Sequence, residues 1–307
     1  MPIHITDPSS DQICIDSLVD HLIDNRFDPT DHHCLMETAP FLKRLANNQT
    51  FLSDLICSEI ENYHVLQEDN PYVPQVFMLD HDRLKEKSTF LRACLWPGTT
   101  DEILTSSGHK AFYYGLPHDH NFNFLTVGYA GPGYVSDYYE YDYTAVVGLQ
   151  GEEVDLQFKE RSQLTKGHIL LYRAFRDVHS QYAPESFSVS LNIMENTCRS
   201  AVMDQYTFEP GTNRISSSFS RCSPGALFSI IASTGGAEGQ SLLSHIFQHH
   251  PVDRIRMSAL ESLMTSAADT NTALALGSLV SVNHSRFMRE RARTLIGRME
   301  SASQRAS

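Results

Sequence analysis

The chain has 307 residues, of which 41% are hydrophobic and 20% are charged, so it is long enough for two domains and can build a buried core. Its 24 Lys and Arg residues against 37 Asp and Glu residues give a formal charge of -13, which argues against nucleic acid as a partner. No apolar run of about 18 residues predicts a membrane-spanning helix. The first residues lack the basic and apolar regions of a secretory signal peptide, so we expect a cytoplasmic protein.

Residues 1–72 are predicted to form an N-terminal helical region. Apolar side chains recur there at helical spacing in two stretches, first around Leu18 and Leu22 and then between Phe41 and Ile60. This spacing is typical of amphipathic helices that lay one face on a core. We therefore expect this region to pack on the domain that follows it.

Residues 73–221 change to short aromatic and β-branched runs separated by Gly, Pro and Asp, which is typical of strands and turns. In Ser186–Ile193, Phe187, Val189, Leu191 and Ile193 alternate with serines and Asn192, as in a strand with two different faces. Nine such runs predict a β-sandwich or barrel.

Residues 222–307 return to helical spacing, and the segment from Pro251 to Arg298 resembles a HEAT-type helical pair. The fold class expected for the whole chain is therefore α+β, with a β-barrel between two helical regions. The six cysteines form no C-x-x-C pair, and we expect free thiols in a reducing compartment: Cys14, Cys34, Cys57, Cys94, Cys198 and Cys222.

The residues that carry chemistry begin with His118 and His120 in the stretch GLPHDHNFNFLTVG. On an extended strand, side chains two residues apart point to the same face, so both imidazoles can reach one metal ion. His179 supplies a third imidazole, shortly before the alternating strand at Ser186–Ile193. The spacing predicts a metal site with open coordination positions.

These residues resemble the cupin superfamily, small β-barrels that hold one metal ion inside. His118 and His120 match the histidine pair of the family's first motif, and His179 matches the histidine of its second motif. The glutamate expected shortly after the first pair is missing, because Asn123 and Phe124 stand there. Glu140 or Asp142, on a strand predicted over Tyr138–Tyr143, can be the displaced fourth ligand; the alternative is a site of three histidines only.

The resemblance implies a non-haem Fe(II) oxygenase or dioxygenase that uses dioxygen on a small, carboxylate-bearing or amino-acid-like metabolite. Other divalent metals fit the same ligands. Arg173 and Arg176 are candidates to anchor a substrate anion, because a guanidinium binds carboxylate with two parallel hydrogen bonds. Tyr172 is a candidate to line the site. A homodimer is compatible with the sequence.

Two alternatives to the oxygenase follow from the same sequence. One is a non-redox cupin such as an isomerase or lyase, in which the metal acts as a Lewis acid. The other is a sensor or interaction module whose helical C-terminal region docks a protein partner. The sequence contains no G-x-S-x-G, P-loop or H-E-x-x-H motif, which argues against other common catalytic classes.

Overall fold

The computed structural model describes residues 1–24, 27–60, 67, 70, 75–79, 81–84, 86–220 and 224–306. Its strands are β1 Ile3–Ile5, β2 Val76–Leu79, β3 Thr89–Trp96, β4 Phe124–Ala130, β5 Val135–Glu140, β6 Gln157–Gln163, β7 Ile169–Tyr172, β8 Asp177–Tyr182, β9 Ser188–Glu195, β10 Gln205–Glu209 and β11 Arg214–Ser220. Its α-helices are α1 Ile15–Asp24, α2 His32–Asn47, α3 Phe51–Glu59, α4 His81–Leu84, α5 Glu102–Ser107, α6 Arg199–Val202, α7 Pro224–Thr234, α8 Gly236–His249, α9 Asp253–Thr265, α10 Thr270–Gly277 and α11 Arg286–Ala306.

The chain divides into two compact units. The first comprises residues 1–142, 155–197 and 207–213, and the second comprises residues 143–154, 198–206 and 214–307. The division predicted from the sequence, at 1–72, 73–221 and 222–307, stays a prediction.

Two antiparallel sheets form the β-structure of the first unit. The larger has the strand order β1-β7-β4-β9-β3-β2, and the smaller has the order β6-β5-β8. His118 pairs with His179 of β8, so the extended segment before β4 continues the smaller sheet. From β3 to β9 successive strands, counting the His118 segment as one, alternate between the two sheets, except that β5 and β6 follow one another in the smaller sheet, and this is the jelly-roll order of cupin barrels. The predicted cupin-like barrel between helical regions is therefore confirmed.

The outer face of the larger sheet is covered by the N-terminal helices. Leu191 and Ile193 of β9 share a buried apolar cluster with Leu18 of α1 and with Leu35 and Leu42 of α2. The alternation predicted for Ser186–Ile193 is thus confirmed for Val189, Leu191 and Ile193, which face the helices, but not for Phe187, which precedes β9 and is half exposed. Burial of this face accounts for the helical spacing of the first 60 residues.

The inner face of the larger sheet meets the smaller sheet across a mostly aromatic core. Phe124 and Tyr172 of the larger sheet lie in this cluster with Tyr134, Tyr138 and Leu164. The Phe124 and Tyr172 rings stack with their centroids 4.3 Å apart. The abundant tyrosines of the middle region therefore fill the barrel.

A sharp bend at Gly131-Pro132-Gly133 carries the chain from β4 in one sheet to β5 in the other. Gly133 has φ +83°, and a Cβ atom there would lie 1.8 Å from the carbonyl oxygen of Leu164. Only glycine fits both this conformation and this close backbone approach. The bend fixes how the two sheets face each other.

One predicted strand has the wrong bounds, and two strands were not predicted. The strand predicted over Tyr138–Tyr143 lies at β5 and ends at Glu140, followed by a short 3-10 turn at Tyr143–Ala145. Strand β8, which carries His179, was not predicted, because its sequence DVHSQY is polar although it is largely buried. Strand β1 was also missed, since three residues that pair with distant β7 leave no local signal.

The helices α7 to α11 of the second unit pack around their own apolar core, which includes Phe228, Leu243, Leu260 and Met288. The helical character predicted for residues 222–307 is confirmed, whereas the HEAT-type resemblance stays a prediction. In this unit the Arg254 guanidinium contacts the Asp204 carboxylate at 2.8 Å and the Tyr206 hydroxyl at 2.8 Å.

Candidate metal centre

Backbone hydrogen bonds hold the two segments that carry the three histidines. The amide of His118 donates to the carbonyl of His179 and the amide of His179 donates back to His118, both at 3.0 Å. Gly115, with φ +72°, starts this pairing by donating its amide to Gln181 at 2.8 Å. His118 and His179 are therefore cross-strand neighbours, and His120 follows two residues later on the same face.

The three imidazoles converge through their Nε2 atoms. Nε2 of His179 lies 3.0 Å from Nε2 of His120 and 3.3 Å from Nε2 of His118. Nitrogens bound to one ion at about 2.0–2.1 Å are separated by about 3 Å when they share one face of the ion. Among the described residues these three form the one group of ligand-type side chains that fits a single ion. The donor set thus fits one divalent metal.

Burial keeps these imidazoles neutral, as metal ligands must be. Desolvation lowers the pKa of His118 to about 4. It lowers the pKa values of His120 and His179 well below the usual range, aided by repulsion among the imidazoles. The positive charge of Arg92 contributes in the same direction at His120. At neutral pH the nitrogen lone pairs are available to a metal.

One ligand has its tautomer fixed by the backbone. Nδ1 of His118 donates to the carbonyl oxygen of Leu116 at 2.8 Å, which leaves the lone pair on Nε2. Nδ1 of His179 is buried and has no hydrogen-bond partner in the described structure. His179 is therefore oriented by its strand and by ring packing.

Aromatic rings enclose the histidines. Phe122 and Phe124 each lie 4.9 Å from the His120 ring, and Tyr172 lies 4.9 Å from the His179 ring. The Tyr172 hydroxyl is hydrogen-bonded to that of Tyr138 at 3.0 Å. Burial raises the pKa of Tyr138 to about 12 and raises the pKa of Tyr172 well above its usual value, so both phenols keep their protons. Tyr172, predicted as a candidate to line the site, has its ring beside that of His179.

The structure does not bring Glu140 to the histidines. Its carboxylate contacts the guanidinium of Arg173 at 2.6 Å, that of Arg176 at 3.2 Å and the α-amino group of Met1 at 2.6 Å. Burial would raise the pKa of Glu140, but these hydrogen bonds outweigh it and lower the pKa to about 2. Asp142, the other carboxylate considered, is exposed. The described residues therefore favour a site of three histidines.

The two arginines predicted to anchor substrate are engaged by carboxylates of the protein. Arg173 bonds Asp177 at 2.7 Å as well as Glu140, and only 14% of its side chain is exposed. Arg176 is more exposed than Arg173, and among the described residues its ion-pair partner is Glu140. This geometry points to a structural role for Arg173.

Replacing Arg173 by methionine is expected to lower the free energy of unfolding by about 3 kcal/mol, because it removes the guanidinium from a buried carboxylate, that of Asp177, and leaves it the α-amino group of Met1 alone as cationic partner. Asp177 is only 1% exposed. Chemical denaturation measures the change. The control is Arg214→Met, which breaks an exposed pair with Glu153 and should cost less than about 1 kcal/mol. Equal effects of the two substitutions would contradict the structural role.

The metal-free protein is expected to lose stability as the pH falls from about 6.5 to about 4. In that window the unfolded chain protonates His118, His120 and His179 while the folded chain keeps these three neutral, so acid favours unfolding. His118, with its pKa near 4, contributes about 3 kcal/mol of this loss. Denaturation curves across this pH range test it against His118→Gln, which cannot titrate. A wild-type profile no steeper than that of the variant would contradict the buried neutral state.

Sequence reasoning missed some residues beside the site. Tyr138 stacks parallel to His179 with ring centroids 6.5 Å apart, and Arg92 places a charge near His120. Asp119, between two ligands, accepts a hydrogen bond from the Tyr141 hydroxyl at 2.5 Å and so braces their segment. The position of Arg92 could have been inferred from alternation along the strand. Leu91 and Ala93 face the helices, so Arg92 between them must point to the opposite face, into the barrel.

Comparison with known proteins adds structural neighbours only. No protein-family profile and no curated protein sequence matches the chain. Procruciferin, an 11S globulin from Brassica napus, has 12% identity over 41% of this chain and 27% of its own, with a TM-score of 0.25. The vicilin from Solanum melongena has 12% identity over 46% and 34%, with a TM-score of 0.27.

A third neighbour is a cupin-like protein from Thermotoga maritima, with 13% identity over 40% of this chain and 69% of its own and a TM-score of 0.22. The chain spans about a third or less of the two storage globulins' length. The fold assignment rests on the strand order. Within the described residues, no helix is both long and apolar enough to cross a membrane.

Proposed function

We propose that this chain is a metal-dependent cupin-type enzyme, and specifically a non-haem Fe(II) oxygenase acting on a small carboxylate-bearing or amino-acid-like metabolite. His118, His120 and His179 would hold the ion. The observation that carries the proposal is the convergence of three buried, neutral Nε2 atoms. When bound, Fe(II) would supply open coordination positions and the redox chemistry that dioxygen activation requires.

The charge of the ligand set favours an anionic substrate. Three neutral imidazoles leave the double positive charge of a divalent ion uncompensated in a buried site. An anion that binds there gains more from this charge than it would in water, because the surroundings have a low dielectric constant. Carboxylate-bearing metabolites meet this requirement, and the supposed fourth ligand, Glu140, is held elsewhere by Arg173.

The residues around the ligands would exclude water and hold protons in place. Phe122, Phe124 and Tyr172 pack against the imidazoles. The Tyr138–Tyr172 pair keeps both phenolic protons at neutral pH, one of them in the hydrogen bond between the two hydroxyls, so it adds no charge to the site. Such an apolar, water-poor wall suits chemistry in which a reactive oxidant must meet the substrate and not solvent.

A second candidate function is non-redox chemistry, as in an isomerase or lyase. The donor set itself favours it, because three histidines also bind catalytic Zn²⁺. Under this alternative the ion would polarise a substrate oxygen and dioxygen would play no part.

Oxygen uptake distinguishes the two functions. The protein is prepared without chelator, its metal content is measured, and it is then loaded with Fe(II) or Zn(II) and mixed with a panel of small carboxylates and amino acids. Oxygen consumption that needs both Fe(II) and a substrate would support the oxygenase. Metal binding with substrate turnover but no oxygen consumption would favour the non-redox enzyme. Failure to bind any divalent metal would contradict both.

A further inference from the structure

Three polar residues form a row on the inner face of the larger sheet. Arg92 of β3 pairs directly with Asn192 of β9, and Asn192 pairs on its other side with Thr126 of β4. Their chain neighbours, such as Leu191 and Val127, belong to the cluster under the N-terminal helices. Side chains alternate along strands, so this inner polar row points into the barrel.

Two side-chain oxygen atoms of the inner polar row, one on Thr126 and one on Asn192, have no hydrogen-bond partner among the described residues. Thr126 is 1% exposed and Asn192 is 4% exposed. Within the described structure neither Oγ1 of Thr126 nor Oδ1 of Asn192 has a hydrogen-bond partner. The amide of Asn192 is oriented by its Nδ2 atom, which donates to Sγ of Cys94 at 3.0 Å. Buried polar atoms without partners are rare, and each needs an explanation.

The row lies beside the metal centre. Phe124 precedes Thr126 by two residues in β4, so the two side chains are neighbours on the inner face of the sheet. The Phe124 ring lies 4.9 Å from the His120 ring, measured between centroids. Arg92 lies in the same row as Thr126, on the other side of Asn192. A molecule that reached the ion could therefore also reach the inner polar row, where a positive charge stands next to an acceptor and a hydroxyl.

We propose that the inner polar row is the specificity subsite of the proposed enzyme, and that it selects a carboxylate carrying a hydroxyl or amino group on the adjacent carbon. Asn192 Oδ1 accepts the substrate O–H or N–H, the Thr126 hydroxyl donates to the carboxylate, and Arg92 balances its charge. The two unpartnered atoms and the cation match the two functional groups of such a molecule. This inference rests on the proposed metal function and goes further in naming the substrate class.

Calorimetric titration of the metal-loaded protein tests the subsite with three probes of nearly equal size. L-lactate carries the hydroxyl, L-alanine carries the amino group, and propionate carries neither. We expect lactate or alanine to bind about tenfold more tightly than propionate, because propionate leaves Asn192 Oδ1 unpaired. Which of the two binds identifies the donor. Equal affinity for all three probes, or no binding of any, would overturn the proposal.

Two substitutions at Thr126 separate recognition from structure. Thr126→Val removes the hydroxyl at nearly constant shape and should lower the affinity for the preferred probe about tenfold. Thr126→Ser keeps the hydroxyl and should retain that affinity. In the metal-free protein, Thr126→Val should raise the melting temperature, because it removes an unsatisfied buried hydroxyl. A fall in melting temperature, or unchanged probe affinity, would overturn the proposal. Failure of the wild-type protein to bind metal would instead contradict the proposed function.

Discussion

Replacing His179 by glutamine is expected to abolish stable metal binding, reducing the content from about one ion per chain to almost none. His179 is the middle ligand, with its Nε2 atom 3.0 Å from that of His120 and 3.3 Å from that of His118. Loss of a residue that merely supports a ligand costs about ten- to a hundredfold in metal affinity, so loss of a ligand should cost more. Metal analysis after dialysis measures the content.

The matched control for this experiment is His168→Gln. His168 directly precedes strand β7, and its ring contacts His4 at the surface and not the three candidate ligands. This variant should keep the metal content of the unsubstituted protein. If His179→Gln retains a full equivalent of metal, or if both variants lose it equally, the three-histidine site is contradicted.

Replacing Gly133 by alanine is expected to lower the free energy of unfolding by about 3 kcal/mol or more. The left-handed φ of +83° costs an L-residue about 1–2 kcal/mol. The new Cβ atom would also lie 1.8 Å from a backbone oxygen of Leu164, so the strands must separate locally. Because the bend places Tyr138 of β5 against His179, metal affinity should fall as well.

Gly151→Ala is the control, since Gly151 has the same φ of +83° with no atom within 4 Å of its would-be Cβ. It should cost about 1–2 kcal/mol, which is the conformational part alone. Chemical denaturation of both variants isolates the effect of close packing. Equal losses would show that the two sheets do not depend on the close approach at Gly133.

Two of the three candidate ligands, His118 and His120, could be paired from the sequence because their geometry is local, whereas His179, 59 residues beyond His120, was assigned from the resemblance to the second cupin motif. A spacing of two residues in an extended segment sends His118 and His120 to one side, whatever the rest of the fold does. The barrel could be predicted from alternation in runs such as Ser186–Ile193, whose aliphatic residues face the helices. Local periodicity also gave the helical regions at both ends.

What the sequence could not provide depends on contacts between distant strands. Glu140 has the right residue type, but its carboxylate is held by Arg173 and Arg176, 33 and 36 residues away. Strand β8 could not be predicted from hydrophobic alternation, because it buries polar side chains such as His179 and Asp177. The inner polar row likewise exists only once Arg92, Asn192 and Thr126 are brought side by side by strand pairing.

X-ray absorption spectroscopy of the metal-loaded protein tests the three-histidine centre most directly. We expect one ion per chain with three imidazole nitrogens at about 2.0–2.2 Å, and loss of this imidazole signal in His179→Gln. An ion coordinated mainly by carboxylate oxygens, or an imidazole signal that survives in His179→Gln, would contradict it.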